Sequence, residues 1–316
     1  MKRNPAILLL AFSVVLLLSA CEDQGVRLNM ATGGVTGTYY PFGGAMAAVI
    51  NANTDISITV MASGASADNI RQIAAGDAHI AIAQNDVMHY TFTGTGIWEG
   101  HTPVTTLTTL MSLYPETVQI IVLEDSGIYS VEDLRGRRVS IGDMGSGVEA
   151  NAMQILDVHG LSTADISVIN LGFGPSADAM RDGQLDAFFV TAATPNSAIM
   201  ELSIARNLRL LSMSDSMIQA LMARHPFYTR VTVTEADGYT FVTEPVNTVA
   251  VQATLVASTN LDEQVAYDIV RALIERQADI GHARGAYINP HNAVQSISVD
   301  FHPGARRFFQ EIGVLD

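Results

Sequence analysis

A helix, a glycine stop and an apolar strand follow one another twice in this chain, once in each half. The first copy is Ile70-Arg71-Gln72-Ile73-Ala74-Ala75, then Gly76-Asp77, then Ala78-His79-Ile80-Ala81. The second is Ala179-Met180-Arg181-Asp182, then Gly183-Gln184, then Leu185-Asp186-Ala187-Phe188-Phe189. Glycine past a helix accepts the left-handed conformation that ends it. The apolar run behind it suits a buried parallel strand. Each copy is preceded by a strand–loop–helix unit, from Leu28 onward and from Val139 onward. Alternating strands and helices are the pattern of α/β architecture. Two copies of one βαβ plan predict two similar α/β lobes.

The local reading places strands at 26–31, 56–61 and 78–83, helices at 41–51 and 67–75, and a Gly/Thr loop at 32–40. The first copy exits into a polar loop, Gln84-Asn85-Asp86, and the second into Thr191-Ala192-Ala193-Thr194-Pro195. Two long β-rich runs, 117–123 and 247–257, are the candidate crossings between lobes. The expected organisation is 26–119 plus 246–316 for the first lobe and 120–245 for the second. An interrupted first lobe leaves two strands as the hinge, an arrangement that closes over a ligand.

The N-terminus has its own logic. Lys2 and Arg3 precede an apolar run, 7–18, broken only by Ser13 and followed by Ser19, Ala20 and Cys21. This is the layout of a secretory signal peptide over 1–20. The run is shorter than the roughly 20 apolar residues of a membrane span. Cys21 is the only cysteine, which excludes an internal disulfide and a multi-cysteine metal site. Leu18-Ser19-Ala20-Cys21 resembles a bacterial lipobox. That resemblance implies diacylglycerol on Cys21, a short tether over 21–25, and a membrane-anchored lipoprotein of the periplasm or cell surface. More than one acyl chain anchors stably, whereas one is marginal.

About half of the 316 residues are apolar and the formal net charge is −15. The chain is long enough for about two domains with a sizeable core. Loss of Lys2, the only lysine, and of Arg3 makes the remainder more acidic still. Polyanions are repelled by such a surface, so no nucleic-acid partner is expected. A monomer is expected.

Chemistry is suggested at two glycine-rich turns that follow strands and open helices. They are Gly33-Gly34-Val35-Thr36-Gly37-Thr38-Tyr39-Tyr40 and Gly142-Asp143-Met144-Gly145-Ser146-Gly147-Val148-Glu149. Small residues let ligand oxygens approach backbone N–H groups, and a helix start is partly positive. Hydroxyls add donors. Two such turns facing one cleft would grip an anion. Asp86 and Glu116 remain open between ligand contact and cap. Gly172-Phe173-Gly174-Pro175-Ser176-Ala177 reads as a plain βα turn, and Arg135, Arg137 and Arg138 as a charged helix end leading into a strand. No P-loop, HExxH pair or nucleophile elbow occurs, and the histidines lack ligand spacing. No catalytic residue, metal or cofactor is expected.

Ala31-Thr32-Gly33-Gly34, then Gly37-Thr38-Tyr39-Tyr40-Pro41, resembles the opening motif of the TAXI family, the solute receptors of tripartite ATP-independent periplasmic (TRAP) transporters. Further matches follow in order: Gln84 with Asp86-Val87, Leu113-Tyr114-Pro115-Glu116, Gly145-Ser146-Gly147 with Glu149 and Asn151-Ala152, Pro226-Phe227-Tyr228, and His302-Pro303-Gly304-Ala305. The resemblance runs from about residue 27 to the end. It implies a type II periplasmic-binding-protein-like fold, no catalysis, and delivery of a small carboxylate or amino acid (glutamate, glutamine or 2-oxoglutarate-like) to TRAP permease subunits. The expected ligand contacts are Gly37, Thr38, Tyr39, Gly64, Gln84, Asn85, Asp86, Tyr114, Ser146, Gly147, Val148 and Thr191. Three departures bear on the ligand: Val148 where threonine is common, Asn85 where serine is frequent, and Thr191-Ala192-Ala193-Thr194 in place of a Gly/Pro-rich loop. Two alternatives use the same cleft: a sensory or adhesive lipoprotein without a permease, and an exported enzyme.

Overall fold

The computed structural model describes residues 25–316; the signal segment, Cys21 and the tether up to residue 24 lie outside the described residues. The first half runs β1 (Val26–Ala31), α1 (Tyr39–Asn53), β2 (Ile56–Met61), α2 (Ser66–Ala75), β3 (Ile80–Gln84), α3 (Asn85–Thr93) and the long strand β4 (Leu107–Leu123). The second runs β5 (Arg138–Ser140), α4 (Gly147–Val158), β6 (Ser167–Ile169), α5 (Phe173–Arg181), β7 (Ala187–Ala192), α6 (Ser197–Ala205), β8 (Leu208–Leu210), α7 (Asp215–Arg224) and β9 (Thr229–Val233). A second long strand, β10 (Val246–Ser258), leads back to α8 (Glu263–Glu275), α9 (Pro290–Ala293) and α10 (Pro303–Glu311). No helix among the described residues is long and apolar enough to cross a membrane.

The strand order is β2-β1-β3-β10-β4-β7-β5-β6, with β8 beside β4 and β9 beside β10. β1 is parallel to β2 and β3, as β5 is to β6 and β7. The third parallel strand of each set then meets one long strand antiparallel: β3 meets β10, and β7 meets β4. The repeated plan is therefore present in three dimensions. β4 and β10 pair with each other from Ala250 opposite Thr117 to Ser258 opposite Leu107. They contain the two β-rich runs, and most of their residues on both faces are buried.

Both glycine stops behave as their positions require. Gly76 is left-handed at φ 82° and its N–H closes onto Gln72 and Ile73. Gly183, at φ 71°, donates to Met180. Either φ strains a residue with a Cβ. The apolar cores segregate. One cluster joins Phe42, Met46 and Ile50 of α1 to Ile269 and Leu273 of α8 and Phe309 of α10. Another joins Val118 of β4 to Ile155 and Leu156 of α4, Phe189 of β7 and Leu221 of α7.

Several local expectations shift: the strand expected at 78–83 is Ile80–Gln84, and the run at 117–123 is the end of a strand that begins at Leu107. α1 begins at Tyr39 rather than residue 41. Gln84-Asn85-Asp86 is not a loop: Gln84 ends β3, and Asn85 and Asp86 begin α3. Asn85 Oδ1 accepts from Gln252 N of β10 at 3.1 Å, which pins the turn to the sheet. Backbone buried there must be hydrogen-bonded internally, and a helix does this.

The last helix shows why small residues matter at one contact. His302 caps it, its Nδ1 accepting from Gly304 N at 3.2 Å, and Pro303 follows in the first turn. A Cβ on Gly304 would lie 2.0 Å from Glu263 O of α8. Gly304→Ala is expected to force these helices apart and destabilise the fold by about 1–3 kcal/mol. Urea unfolding measures this; an unchanged midpoint would refute the close approach.

Candidate functional site

A cavity of about 290 Å³ lies between the two halves. Four helices begin at it: α1 behind Thr38, α2 behind Ala65, α4 behind Ser146 and α5 behind Gly172. First-turn N–H groups have no partner inside their helix, and the dipole adds partial positive charge. Ser146 accepts from Glu149 N at 3.1 Å, while the Glu149 carboxylate accepts from Gly145 N at 2.7 Å. This reciprocal brace stiffens the second turn and leaves the Ser146 hydroxyl proton free to donate.

The halves touch around the cavity. Gly174 N donates to Thr36 Oγ1 at 3.2 Å, and Ser197 Oγ donates to the Thr36 carbonyl at 3.1 Å. Ala67 N donates to the Gly145 carbonyl at 3.2 Å. Asn151 Nδ2 of α4 donates to Asp86 Oδ2 of α3 at 3.0 Å, and Gln154 Nε2 to Tyr90 Oη at 3.1 Å. A Cβ on Gly147 would lie 2.1 Å from Gln84 Oε1, so any larger residue at the α4 start must displace the Gln84 amide. Val35 lines the cavity yet is 65% exposed, which marks the mouth.

No Arg, Lys or His among the described residues lines the cavity; its ionisable groups are Glu116, Asp143 and Tyr39. Tyr39 Oη donates to Glu116 Oε2 at 2.6 Å. Burial pushes the Glu116 carboxyl up to about 8, against the lowering effect of the Tyr39 bond. Burial also raises Asp86 to about 7, and it raises the half-buried Asp143 from its ordinary value. Both buried acids therefore tend to hold their protons near neutrality. Gln84 Oε1 and Thr191 Oγ1, both on lining residues, are buried without a hydrogen-bond partner. Such atoms are costly unless something supplies the missing bond.

Of the residues expected from sequence, Gly37, Thr38, Tyr39, Gln84, Ser146, Gly147, Val148 and Thr191 line the cavity. Gly64, Asn85, Asp86 and Tyr114 do not. The Gly64 N–H is held by Asp68 Oδ2 at 3.0 Å, where it braces the start of α2. Asn85 binds the C-terminal segment, with Nδ2 donating to the Ser296 carbonyl at 3.3 Å and its own carbonyl accepting from Ser298 Oγ at 2.7 Å. Asp86 faces α4 rather than the cavity. Tyr114 is fully buried behind it, edge-on to Phe42 at 5.4 Å between centroids.

Sequence reasoning missed Thr36 as a bridge, Ser66 at the start of α2, and Gly172, Phe173 and Pro175 at the start of α5. The 172–177 segment does open a helix after a strand, as a βα turn should, but it also forms a wall of the cavity. The signal was available: it has the same small-residue grammar as the other two turns.

Two α/β halves exchanging long strands around an interlobe cavity define the fold of periplasmic solute-binding proteins. The alkanesulfonate-binding protein SsuA from Xanthomonas axonopodis pv. citri, bound to MOPS, superposes with a TM-score of 0.53 at 14% identity, covering 92% of this chain and 80% of that one. The periplasmic aliphatic sulphonate-binding protein SsuA from Escherichia coli gives 0.52 at 14% identity over 92% and 80%. The periplasmic binding protein BugD gives 0.58 at 13% identity over 91% and 94%. The chain belongs to the NMT1-like family, whose model matches residues 30–313.

Proposed function

We propose that this protein is an extracytoplasmic solute-binding receptor. It captures a small carboxylate, of the glutamate, glutamine or 2-oxoglutarate-like kind, and delivers it to a TRAP-type membrane permease. One observation carries the reading: four helix starts converge on a cavity that no cation among the described residues lines. Backbone N–H groups there can hold an anion without a counter-charge. The lobes are 26–119 plus 246–316 and 120–245, and β4 and β10 form the hinge. Gly37, Thr38, Tyr39, Gln84, Ser146, Gly147, Val148 and Thr191 form the ligand shell. Cys21 carries the lipid anchor.

The test is a thermal-shift panel of carboxylates and amino acids, with alkanesulfonates included because SsuA proteins of this fold bind them. A ligand that binds only the folded state stabilises it by about 2.7 kcal/mol at a hundredfold excess over Kd. A true solute should raise Tm, and small-angle scattering should show the radius fall as the lobes close. A panel without a single stabilising solute would overturn the reading. The anchor has a separate test. Cys21→Ser is expected to move the protein from the membrane to the soluble fraction, and a variant that stays membrane-bound would exclude lipidation there.

A further inference from the structure

We propose that the ligand is an α-amino acid with an uncharged side chain, its carboxylate held by the helix starts at Ser146 and Gly147 and its ammonium set against Glu116. This rests on the reading of the cavity as the solute site. Three features of the cavity carry it.

The first is charge. One carboxylate can be satisfied by the converging N–H groups. A second would enter a space whose ionisable walls are Glu116, Asp143 and Tyr39, all acids. The neighbouring cations make their contacts outside the cavity, although Arg71 lies against Gly145 of the second turn. Arg71 lies over the Trp98 ring at 4.8 Å, and Arg284 donates to the Thr194 carbonyl at 2.7 Å and lies over Tyr287. Neither lines the cavity. A dicarboxylate would thus bring an uncompensated charge into a desolvated site.

The second is the balance of donors and acceptors. Glu116 uses one oxygen on Tyr39, and its other oxygen makes no hydrogen bond to the described residues. Gln84 Oε1 and Thr191 Oγ1 are also unpartnered, at 2% and 4% exposure. Glu116 and Gln84 thus offer acceptor oxygens, and the Thr191 hydroxyl can accept or donate. An ammonium carries three N–H donors, whereas the carbonyl of an oxoacid carries none.

The third is the remaining wall. Ala65, Val148, Phe173, Pro175 and Ala192 are apolar, and the remaining side chains there, Thr36, Thr38 and Ser66, carry only neutral hydroxyls. An uncharged side chain needs no counter-charge against such a wall, whereas a carboxylate does.

A consequence concerns protons. The groups around Glu116 are Tyr39, Tyr114 and Asp86. Burial places its carboxyl near 8, so at pH 7 the empty site holds it protonated. An arriving ammonium favours the ionised form, and the proton leaves to the buffer. Binding an amino acid at pH 7 should therefore release about one proton per site; binding an oxoacid should release none.

The experiment is isothermal titration of the purified protein at pH 7 with L-leucine, L-glutamine, L-glutamate and 4-methyl-2-oxopentanoate, the oxoacid of leucine. Leucine or glutamine is expected to bind about ten- to a hundredfold tighter than glutamate or the oxoacid, the range of a hydrogen-bonded charge. Its observed heat should vary with the ionisation enthalpy of the buffer. Glu116→Gln, with its fold checked by circular dichroism, should erase both the preference for leucine over its oxoacid and the proton release. Tighter binding of glutamate or the oxoacid would overturn the assignment and leave the receptor reading intact. So would binding of an alkanesulfonate when none of the four solutes binds. A protein that binds nothing in the wider panel overturns both.

Discussion

Gly147→Val should abolish high-affinity solute binding while leaving the unliganded protein folded. The Cα of Gly147 faces Gln84 so closely that a Cβ would fall 2.1 Å from Oε1. The Gln84 amide has little room to swing away, because the residue is only 2% exposed. The clash lies between the two halves, so an opened protein escapes it and a closed one does not. Overpacking of this kind costs about 1–3 kcal/mol, which converts to a Kd weaker by about five- to 150-fold. Ser146→Ala should act in the same direction. It loses the cap on Glu149 N, worth about 1 kcal/mol, together with the hydroxyl donor. Calorimetric titration beside a thermal melt separates the two effects. Full affinity in Gly147→Val would show that the contact between Gln84 and Gly147 is absent from the liganded form.

The second large effect is on stability against pH. Asp86 and Glu116 are buried, and their folded values, about 7 and about 8, stand above the ordinary 3.8 and 4.5. The native state then binds protons that the unfolded chain has already lost. Stability from these groups is fully present below the unfolded values and is lost as pH rises through 7 and 8. Within that window each such group removes about 1.4 kcal/mol per pH unit. A melt series should therefore show Tm falling as pH is raised from about 5 to about 8. General repulsion within an acidic chain of net charge −15 has the same sign. The double variant Asp86→Asn with Glu116→Gln separates the causes, since it keeps the shapes and removes both titrations. It should flatten the profile and melt above the wild type at about pH 8. A double variant that keeps the wild-type slope would show that these carboxyls are not the origin.

The site was legible where its chemistry is local. Gly33 to Tyr39 and Gly142 to Glu149 could be marked because a glycine-rich stretch between a strand and a helix start leaves backbone N–H groups open to an anion. Asp86 illustrates the limit. It sits two residues beyond the lining residue Gln84, but α3 begins at Asn85 and turns the Asp86 carboxylate toward Asn151 of α4. Nothing near Asp86 in the chain contains that information, because the partner is 65 residues away. Glu116 shows the opposite case. Its place in Leu113-Tyr114-Pro115-Glu116 left it open between cap and contact. The Tyr39 hydroxyl, 77 residues earlier, makes it a buried acid on the cavity wall.

Strand and helix alternation, the two glycine stops and the two long crossing strands were set by short-range pattern alone. Each is a property of a few neighbouring residues: period, apolar run or left-handed cap. Segregation of the core into clusters, to which different stretches of β4 and β10 contribute, follows from that order of elements. What required tertiary structure was the third glycine-rich turn at 172–177, the bridge through Thr36, and the absence of cations from the cavity wall. Those depend on which loops meet when two halves fold onto each other, and on how deeply each side chain is then removed from water. Burial converts ordinary residues such as Glu116, Gln84 and Thr191 into a proton-holding acid and two unpartnered acceptors, because desolvation acts on position in space rather than on position in the chain.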